Sequence, residues 1–126
     1  MTREWAEELP EKCPPEEADT PQHSVFFRLV EKNPPSETDF YSVLMLDPNR
    51  TIHTTDKCHA MALSIFETPE LCARQKKYKP FREKIVIGIT LTPDSGLIQQ
   101  TFFQGHYSWW RKASFDCVKH CNIHIK

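Results

Sequence analysis

Residues 85–91, with the sequence IVIGITL, are the most apolar run of the chain. A run of this kind, almost entirely aliphatic or β-branched, is typical of a strand that is buried on both faces. Residues 93–96, with the sequence PDSG, are a strong turn signal. Residues 97–103 are predicted to pair with residues 85–91 as a hairpin. This part of the chain therefore predicts a β-sheet at the centre of the fold.

Further strand and helix signals precede this hairpin in the sequence. Residues 24–30, SVFFRLV, and residues 62–66, ALSIF, are rich in β-branched and aromatic side chains and predict two strands. Residues 37–46 repeat apolar side chains at helical spacing after a serine, which predicts a short helix. A second helix is predicted from the sequence TPE at residues 68–70, because threonine is a good N-cap and proline suits the first helical position.

The end of the chain completes the fold prediction. Residues 115–125 alternate apolar and polar side chains, the period of a half-buried antiparallel strand. Two helices thus precede a block of strands, which predicts an α+β domain with a largely antiparallel mixed sheet and two or three short helices.

The composition fits one globular domain with an N-terminal appendage. The chain has 126 residues, of which 39% are hydrophobic and 26% charged, too few residues for a second domain. Residues 1–21 have a formal charge of −5 and the remainder +4, which together give the net charge of −1. Because residues 1–21 also contain four prolines, we interpret them as an acidic, proline-rich arm that is dispensable for folding, and residues 22–126 as the domain.

The sequence also gives expectations about location and cysteine chemistry. No apolar run approaches the ~20 residues of a spanning helix, and the acidic N-terminus is unlike a secretory signal, so we expect a cytoplasmic protein without a membrane partner. Five cysteines in irregular spacing favour free thiols or a metal site over a disulfide framework. Cys117, Cys121 and His124 lack the fourth ligand of a zinc site, and we expect no metal.

Two side chains of the predicted strands are candidates for ligand binding. Arg28 is the only charged residue in its strand, so it must be paired, reach the surface, or bind an anion such as a phosphate. Ser64 lies in the middle of the strand at residues 62–66, either as a hydrogen-bonded core serine or as a ligand-contacting hydroxyl.

The densest group of functional side chains lies at residues 105–112, with the sequence GHYSWWRK. Segments of this composition bind planar and anionic ligands, although aromatic side chains also build cores. His106 is the candidate general base. Tyr107, Trp109 and Trp110 are the candidate ligand-binding residues of this segment.

The order of these features resembles the small ADP-ribosyltransferase-like folds, which include the RES-type toxins and the RNA 2′-phosphotransferases. Residues 26–30, FFRLV, resemble their first strand, in which an arginine or histidine meets NAD. Residues 62–73, in which ALSIF runs directly into TPELCA, resemble the later strand that enters a helix. The resemblance implies NAD or another nucleotide as ligand. Since Gln99 and Gln100 stand where these families have a catalytic acid, it implies binding without transfer.

Two function hypotheses follow, and neither settles whether the protein is an enzyme. In the first, the domain binds a small anionic planar ligand, such as NAD or another nucleotide, in a cleft lined by Arg28, Ser64 and residues 106–110. In the second, it is a non-catalytic protein-interaction module that uses residues 106–110 and the acidic arm. The six cations between residues 74 and 84 are too few to favour nucleic acid as the partner.

Overall fold

The apolar run at residues 85–91 forms strand β3 (Ile85–Leu91) in the computed structural model, which describes residues 4–49 and 57–122. β3 pairs antiparallel along its whole length with β1 (Ser24–Val30). Both strands have the bounds that their β-branched and aromatic residues predict. Their pairing forms the middle of the sheet.

Four further strands and three short α-helices lie in the described part of the chain. The strands are β2 (Leu63–Phe66), β4 (Gly96–Gln100), β5 (His106–Arg111) and β6 (Cys121–Asn122). Their order in the sheet is β4-β5-β2-β1-β3-β6, and every neighbouring pair is antiparallel. The helices are α1 (Val43–Leu46), α2 (Lys57–Ala60) and α3 (Pro69–Arg74). The predicted α+β class is confirmed.

Short 3₁₀ turns connect several of these elements, at Glu37–Phe40, Gln75–Lys77, Lys79–Phe81 and Pro93–Ser95. Among residues 4–49 and 57–122, no helix has both the length and the hydropathy that crossing a membrane requires.

The predicted hairpin between residues 85–91 and 97–103 is wrong. β4 pairs with β5 at the opposite end of the sheet, because β1 and β6 occupy the two edges of β3. The Ser95 carbonyl fixes the turn that precedes β4, since it accepts hydrogen bonds from the Lys112 N–H and the Trp109 indole N–H, both at 3.1 Å. Gly96 has a φ of 134°, and a Cβ at this position would collide with the Trp110 carbonyl oxygen, so the close approach requires glycine.

The helix predicted over residues 37–46 is interrupted. Tyr41 and Ser42 are extended between the 3₁₀ turn and α1. The Ser42 hydroxyl caps α1 by accepting from the Met45 N–H at 3.1 Å, while the Ser42 N–H is donated to the Glu7 carboxylate at 2.8 Å. An uninterrupted helix would need that N–H for its own backbone bond, so the contact with Glu7 favours the break.

Helix α3 starts as predicted. The Thr68 side chain accepts from the Leu71 N–H at 3.1 Å, and Pro69 is the first helical residue. The helix ends at Arg74, and the chain continues in 3₁₀ turns.

The strand predicted over residues 115–125 is mostly wrong. Residues 117–120 form a turn, in which the Asp116 carboxylate accepts from the Lys119 N–H at 3.1 Å and the His120 ring stacks on Phe115 at 4.5 Å. These local contacts fold the chain back, which alternation alone does not reveal. Only Cys121–Asn122 is a strand, and residues 123–126 lie outside the described residues.

One cluster of buried side chains packs on the sheet. Its members come from strands β1 to β5 and from the flanking turns, so the core joins distant parts of the sequence. They are Phe26, Phe40, Leu63, Ile65, Ile89, Leu91, Ile98, Trp109, Phe115 and Cys117.

The acidic arm lies against β4 and against the end of β5. The Glu4 carbonyl accepts from the Ala113 N–H at 2.9 Å, and the Ala6 N–H is donated to the Arg111 carbonyl at 3.0 Å. Asp19 pairs with Ile98 in an antiparallel bridge. The arm therefore extends the hydrogen bonding of the sheet, despite its prolines.

A disulfide joins Cys13 of the arm to Cys58 of α2. The expectation of free thiols is wrong for this pair, because the path of the arm brings Cys13 beside α2, and cysteine spacing cannot reveal such a path. Cys72, Cys117 and Cys121 are free.

Candidate functional site

A cavity of about 460 Å³ lies where β1 and β2 separate. The two strands pair only at Phe27 and Phe66, and the same register would next place Leu29 opposite Ser64. The Arg28 side chain takes the place of that backbone pairing, since its Nη1 donates to the Ser64 carbonyl at 2.8 Å. Arg28, Leu29 and Ser64 all line the cavity.

Arg28 also holds the 3₁₀ turn at Glu37–Phe40. Its Nε donates to the Asp39 carbonyl at 3.0 Å, and the guanidinium lies 5.9 Å from the Phe40 ring centroid. Burial lowers the pKa of Arg28 to about 10, although nearby Cys117, Asp39 and Cys72 oppose the change. Arg28 remains a cation at neutral pH, in a place where its charge is poorly hydrated.

A second arginine holds the same turn. Arg111 at the end of β5 is buried, donates from Nε to the Phe40 carbonyl at 2.8 Å and forms an ion pair with Glu37 at 3.3 Å. Sequence reasoning missed this residue, because it lies 71 positions from Phe40 and was grouped with the aromatic segment.

Ser64 and His106 form a hydrogen-bonded pair inside the cavity, with 3.0 Å between Ser64 Oγ and His106 Nε2. They lie on adjacent strands, where Ser64 faces Ser108 and Phe66 faces His106. Ser64 and His106 are therefore diagonal neighbours on one face of the sheet, within reach of an imidazole. Ser64 is exposed although Leu63 and Ile65 beside it are buried, whereas His106 is only 5% exposed.

The other nitrogen of His106 fixes the ring. Nδ1 lies 3.1 Å from the Thr101 carbonyl oxygen, which can only accept a hydrogen bond, so we assign the proton of the neutral ring to Nδ1. Nε2 then has a lone pair that accepts a hydrogen bond from the Ser64 hydroxyl. Burial lowers the pKa of His106, and the hydrogen bond to Thr101 only partly opposes this, which favours the neutral ring.

Three phenylalanines surround the imidazole. The ring centroids of Phe66, Phe102 and Phe103 each lie 5.2 Å from that of His106, and all three line the cavity. Phe102 is 79% exposed at the cavity mouth. Gly105 closes this loop with a φ of 92°, where a Cβ would collide with the Leu71 side chain.

The structure thus brings together Arg28, Ser64 and His106 and places the other candidates elsewhere. Trp109 and Trp110 are 0% and 1% exposed, and their indole N–H groups are donated to the Ser95 and Cys58 carbonyls. The expectation that an indole lines the cleft is corrected accordingly, because both faces of β5 are covered here.

Tyr107 alternates to the face opposite His106. Its ring packs edge-on against Phe26, with 5.2 Å between centroids, and it lines a different pocket beside Pro21. Tyr107 therefore does not contribute to the cavity of Ser64 and His106.

The cysteines near the C-terminus have no metal-binding arrangement among the described residues, where no group of three or more potential ligands occurs. Burial raises the pKa of Cys117 to about 12 and that of Cys121 to about 11, so both thiols stay protonated at neutral pH. His124 lies outside the described residues.

Comparisons with known proteins add no relative. No protein-family model, curated protein or solved structure matches this chain.

Proposed function

We propose that this protein binds a small anionic ligand in the 460 Å³ cavity, with the anionic group at Arg28 and an apolar or planar part against the phenylalanines. The observation that carries the proposal is a partly buried guanidinium that lines the cavity and has no carboxylate partner among the described ion pairs. A poorly hydrated cation gains more from an anion than a cation in water does.

The hydrogen bonds of Arg28 support this role. A guanidinium has five N–H donors, and carbonyls of the described residues accept from Nε and Nη1. Donors remain for a phosphate or carboxylate, while the two carbonyls hold the planar group in one orientation. Lys84 lines the same cavity and adds a second positive charge, although it is also 3.6 Å from Glu31.

The cavity walls suit the rest of such a ligand. Its volume falls within the range of small-molecule sites, and aromatic and aliphatic side chains dominate the lining. Because Trp109 and Trp110 are buried elsewhere, a nucleobase would contact Phe102 or Phe103. NAD or another nucleotide, which the resemblance implies, remains one member of this ligand class.

Isothermal titration of the full chain with AMP, NAD, ADP-ribose, benzoate and nicotinamide tests the proposal. The four anions should give saturable binding, and uncharged nicotinamide should bind at least about tenfold more weakly. Loss of a hydrogen bond to a charged group costs about 1.5–3 kcal/mol, so Arg28→Gln should weaken anion binding roughly 10- to 150-fold.

Arg74→Gln is the matched control, because Arg74 is exposed at the end of α3 and does not line the cavity. Thermal unfolding establishes that each variant is folded, and Lys84→Gln replaces Arg28→Gln if the latter is not. If none of the ligands gives saturable heat at millimolar concentration, or if both arginine variants bind equally, the proposal fails.

A protein-interaction role is the second candidate, and exposed apolar side chains at the cavity mouth favour it. Leu46 is 60% exposed, and Val43, Phe81 and Phe103 are also exposed beside Phe102. This surface replaces residues 106–110 as the expected contact region. Light scattering over a range of concentrations would detect self-association through it, and Phe102→Ser should remove that association.

The compartment is a separate proposal. The sequence predicts the cytoplasm, whereas disulfides persist mainly in oxidising compartments. Alkylation of intact cells before lysis, followed by peptide mass analysis of Cys13 and Cys58, distinguishes a cytoplasmic location from an oxidising compartment. Alkylated thiols would support a cytoplasmic location, and a protected disulfide would contradict it.

A further inference from the structure

We propose that Ser64 is a nucleophile activated by His106, and that the cavity hydrolyses a small ester with an apolar or aromatic acyl group. The inference rests on the proposed ligand site and extends it from binding to chemistry. Its basis is the 3.0 Å hydrogen bond between Ser64 Oγ and His106 Nε2, formed inside a cavity that is open to a ligand. A serine within hydrogen-bond reach of an oriented base is the arrangement that nucleophilic catalysis requires.

The orientation of His106 is set from the far side of the ring. The Thr101 carbonyl oxygen lies 3.1 Å from His106 Nδ1. The Thr101 hydroxyl oxygen lies 2.8 Å from Ser108 Oγ. The carbonyl occupies the position that a carboxylate takes in a serine–histidine–aspartate triad, where the third group holds the tautomer and the ring. Nε2 is thereby kept as the proton acceptor.

Ser64 and His106 differ in their exposure to solvent. A solvent-exposed serine can donate its hydroxyl to water, so burial does not force Ser64 to bond with His106. The imidazole is 5% exposed and packs against Phe66, Phe102 and Phe103, and its Nε2 lies 3.0 Å from Ser64 Oγ. A base shielded from water and aimed at an accessible hydroxyl is suited to proton abstraction.

The surroundings indicate the substrate class. The phenylalanine walls suit an aromatic or short aliphatic acyl group, and the Arg28 guanidinium, which donates to the main-chain carbonyl of Ser64, lines the same cavity. A cation in the cavity favours a substrate whose product is negatively charged. The product carboxylate belongs to the anionic class proposed as the ligand of the cavity.

In the first step, Ser64 Oγ attacks the ester carbonyl carbon while its proton passes to His106 Nε2. The bond from that carbon to the alcohol oxygen breaks, and His106 returns the proton to the departing alcohol. Water then attacks the acyl group on Ser64 with the help of His106, and the C–Oγ bond breaks as Oγ regains a proton. The sum is ester plus water giving carboxylic acid plus alcohol.

The test uses the full chain with a fluorophosphonate probe and with p-nitrophenyl benzoate and acetate. Peptide mass analysis should place the phosphonyl group on Ser64, and Ser64→Ala should abolish both labelling and p-nitrophenol release. His106→Gln should lower the labelling rate at least about 100-fold, the scale of a general base. The labelling rate of the unmodified chain should fall at low pH as His106 becomes protonated.

Ser114→Ala is the matched control, since Ser114 is an exposed serine away from the cavity lining. If Ser64→Ala is unfolded, S64C provides a second measurement, in which alkylation by iodoacetamide should be at least tenfold slower when combined with His106→Gln. Labelling that is absent, that is spread over other residues, or that is unaffected by His106→Gln would overturn the proposal. Anion binding without labelling would leave the proposed function standing and remove only the chemistry.

Discussion

Ser42 donates both its backbone N–H and its hydroxyl to the carboxylate of Glu7, at 2.8 and 2.6 Å. Glu7 belongs to the arm and is only 6% exposed, and Ser42 is the residue at which the predicted helix is interrupted. One carboxylate thus attaches the arm to the domain and sets the start of α1. The arm therefore contributes to the structure more than the expectation that it is dispensable would imply.

The first prediction is that Glu7→Ala destabilises the fold, whereas Glu8→Ala does not. Removing the carboxylate leaves two buried donors of Ser42 unsatisfied, which should cost about 1.5–3 kcal/mol in the free energy of unfolding. Glu8 is exposed and should change it by less than about 0.5 kcal/mol. Urea denaturation of both variants measures the difference, and equal stabilities would show that the Glu7 contact is not needed.

The second prediction concerns the disulfide between Cys13 and Cys58, which are 45 positions apart. Cross-linking a loop of this length restricts the unfolded chain, and the entropy relation gives a stabilisation of about 4 kcal/mol. Cys13→Ser should lose that amount, and a reducing agent should lower the unfolding midpoint of the unmodified chain but leave that of Cys13→Ser unchanged. Identical midpoints with and without reductant would contradict it.

The third prediction compares two glycines of the sheet. Gly96 has backbone angles of φ 134° and ψ −148°, which other residues rarely adopt, and its added Cβ would meet the Trp110 backbone. Gly96→Ala should destabilise by at least about 2 kcal/mol. Gly88→Ala is the control, because its Cβ would sit 3.4 Å from the Phe27 side chain in ordinary contact. Thermal unfolding of the two variants should separate them clearly, and similar losses would refute the argument.

Local signals were sufficient for much of the fold. β1 and β3 have a composition that favours strands wherever they are placed, and the Thr68 cap acts on a backbone N–H only three residues away. The contacts that define each of these elements are short in sequence or depend on residue type alone. For that reason a single sequence was enough to predict them.

Long-range contacts account for what the sequence could not reveal. Ser64 and His106 are 42 positions apart, and their contact depends on β2 pairing with β5 in one register. The burial of Trp110 similarly depends on α2, where His59 packs against the indole at 5.4 Å. Neither pairing leaves a local pattern, so the aromatic segment resembled a binding surface although most of it is core.

The last prediction is a pH dependence of stability that originates in His106. Burial lowers the pKa of His106 in the folded protein below the ordinary 6.5, so the unfolded chain binds a proton more readily. Above pH 6.5 His106 is neutral in both states, and the free energy of unfolding is not reduced. It falls progressively as the pH drops from 6.5 to the folded-state pKa, because the unfolded chain takes up the proton first. His106→Gln should remove this part of the slope, which urea titrations between pH 5 and 8 would measure as a difference between the two proteins. An NMR titration of the His106 ring gives the folded pKa directly, and a value at or above 6.5 would contradict both the prediction and the role of a buried neutral base.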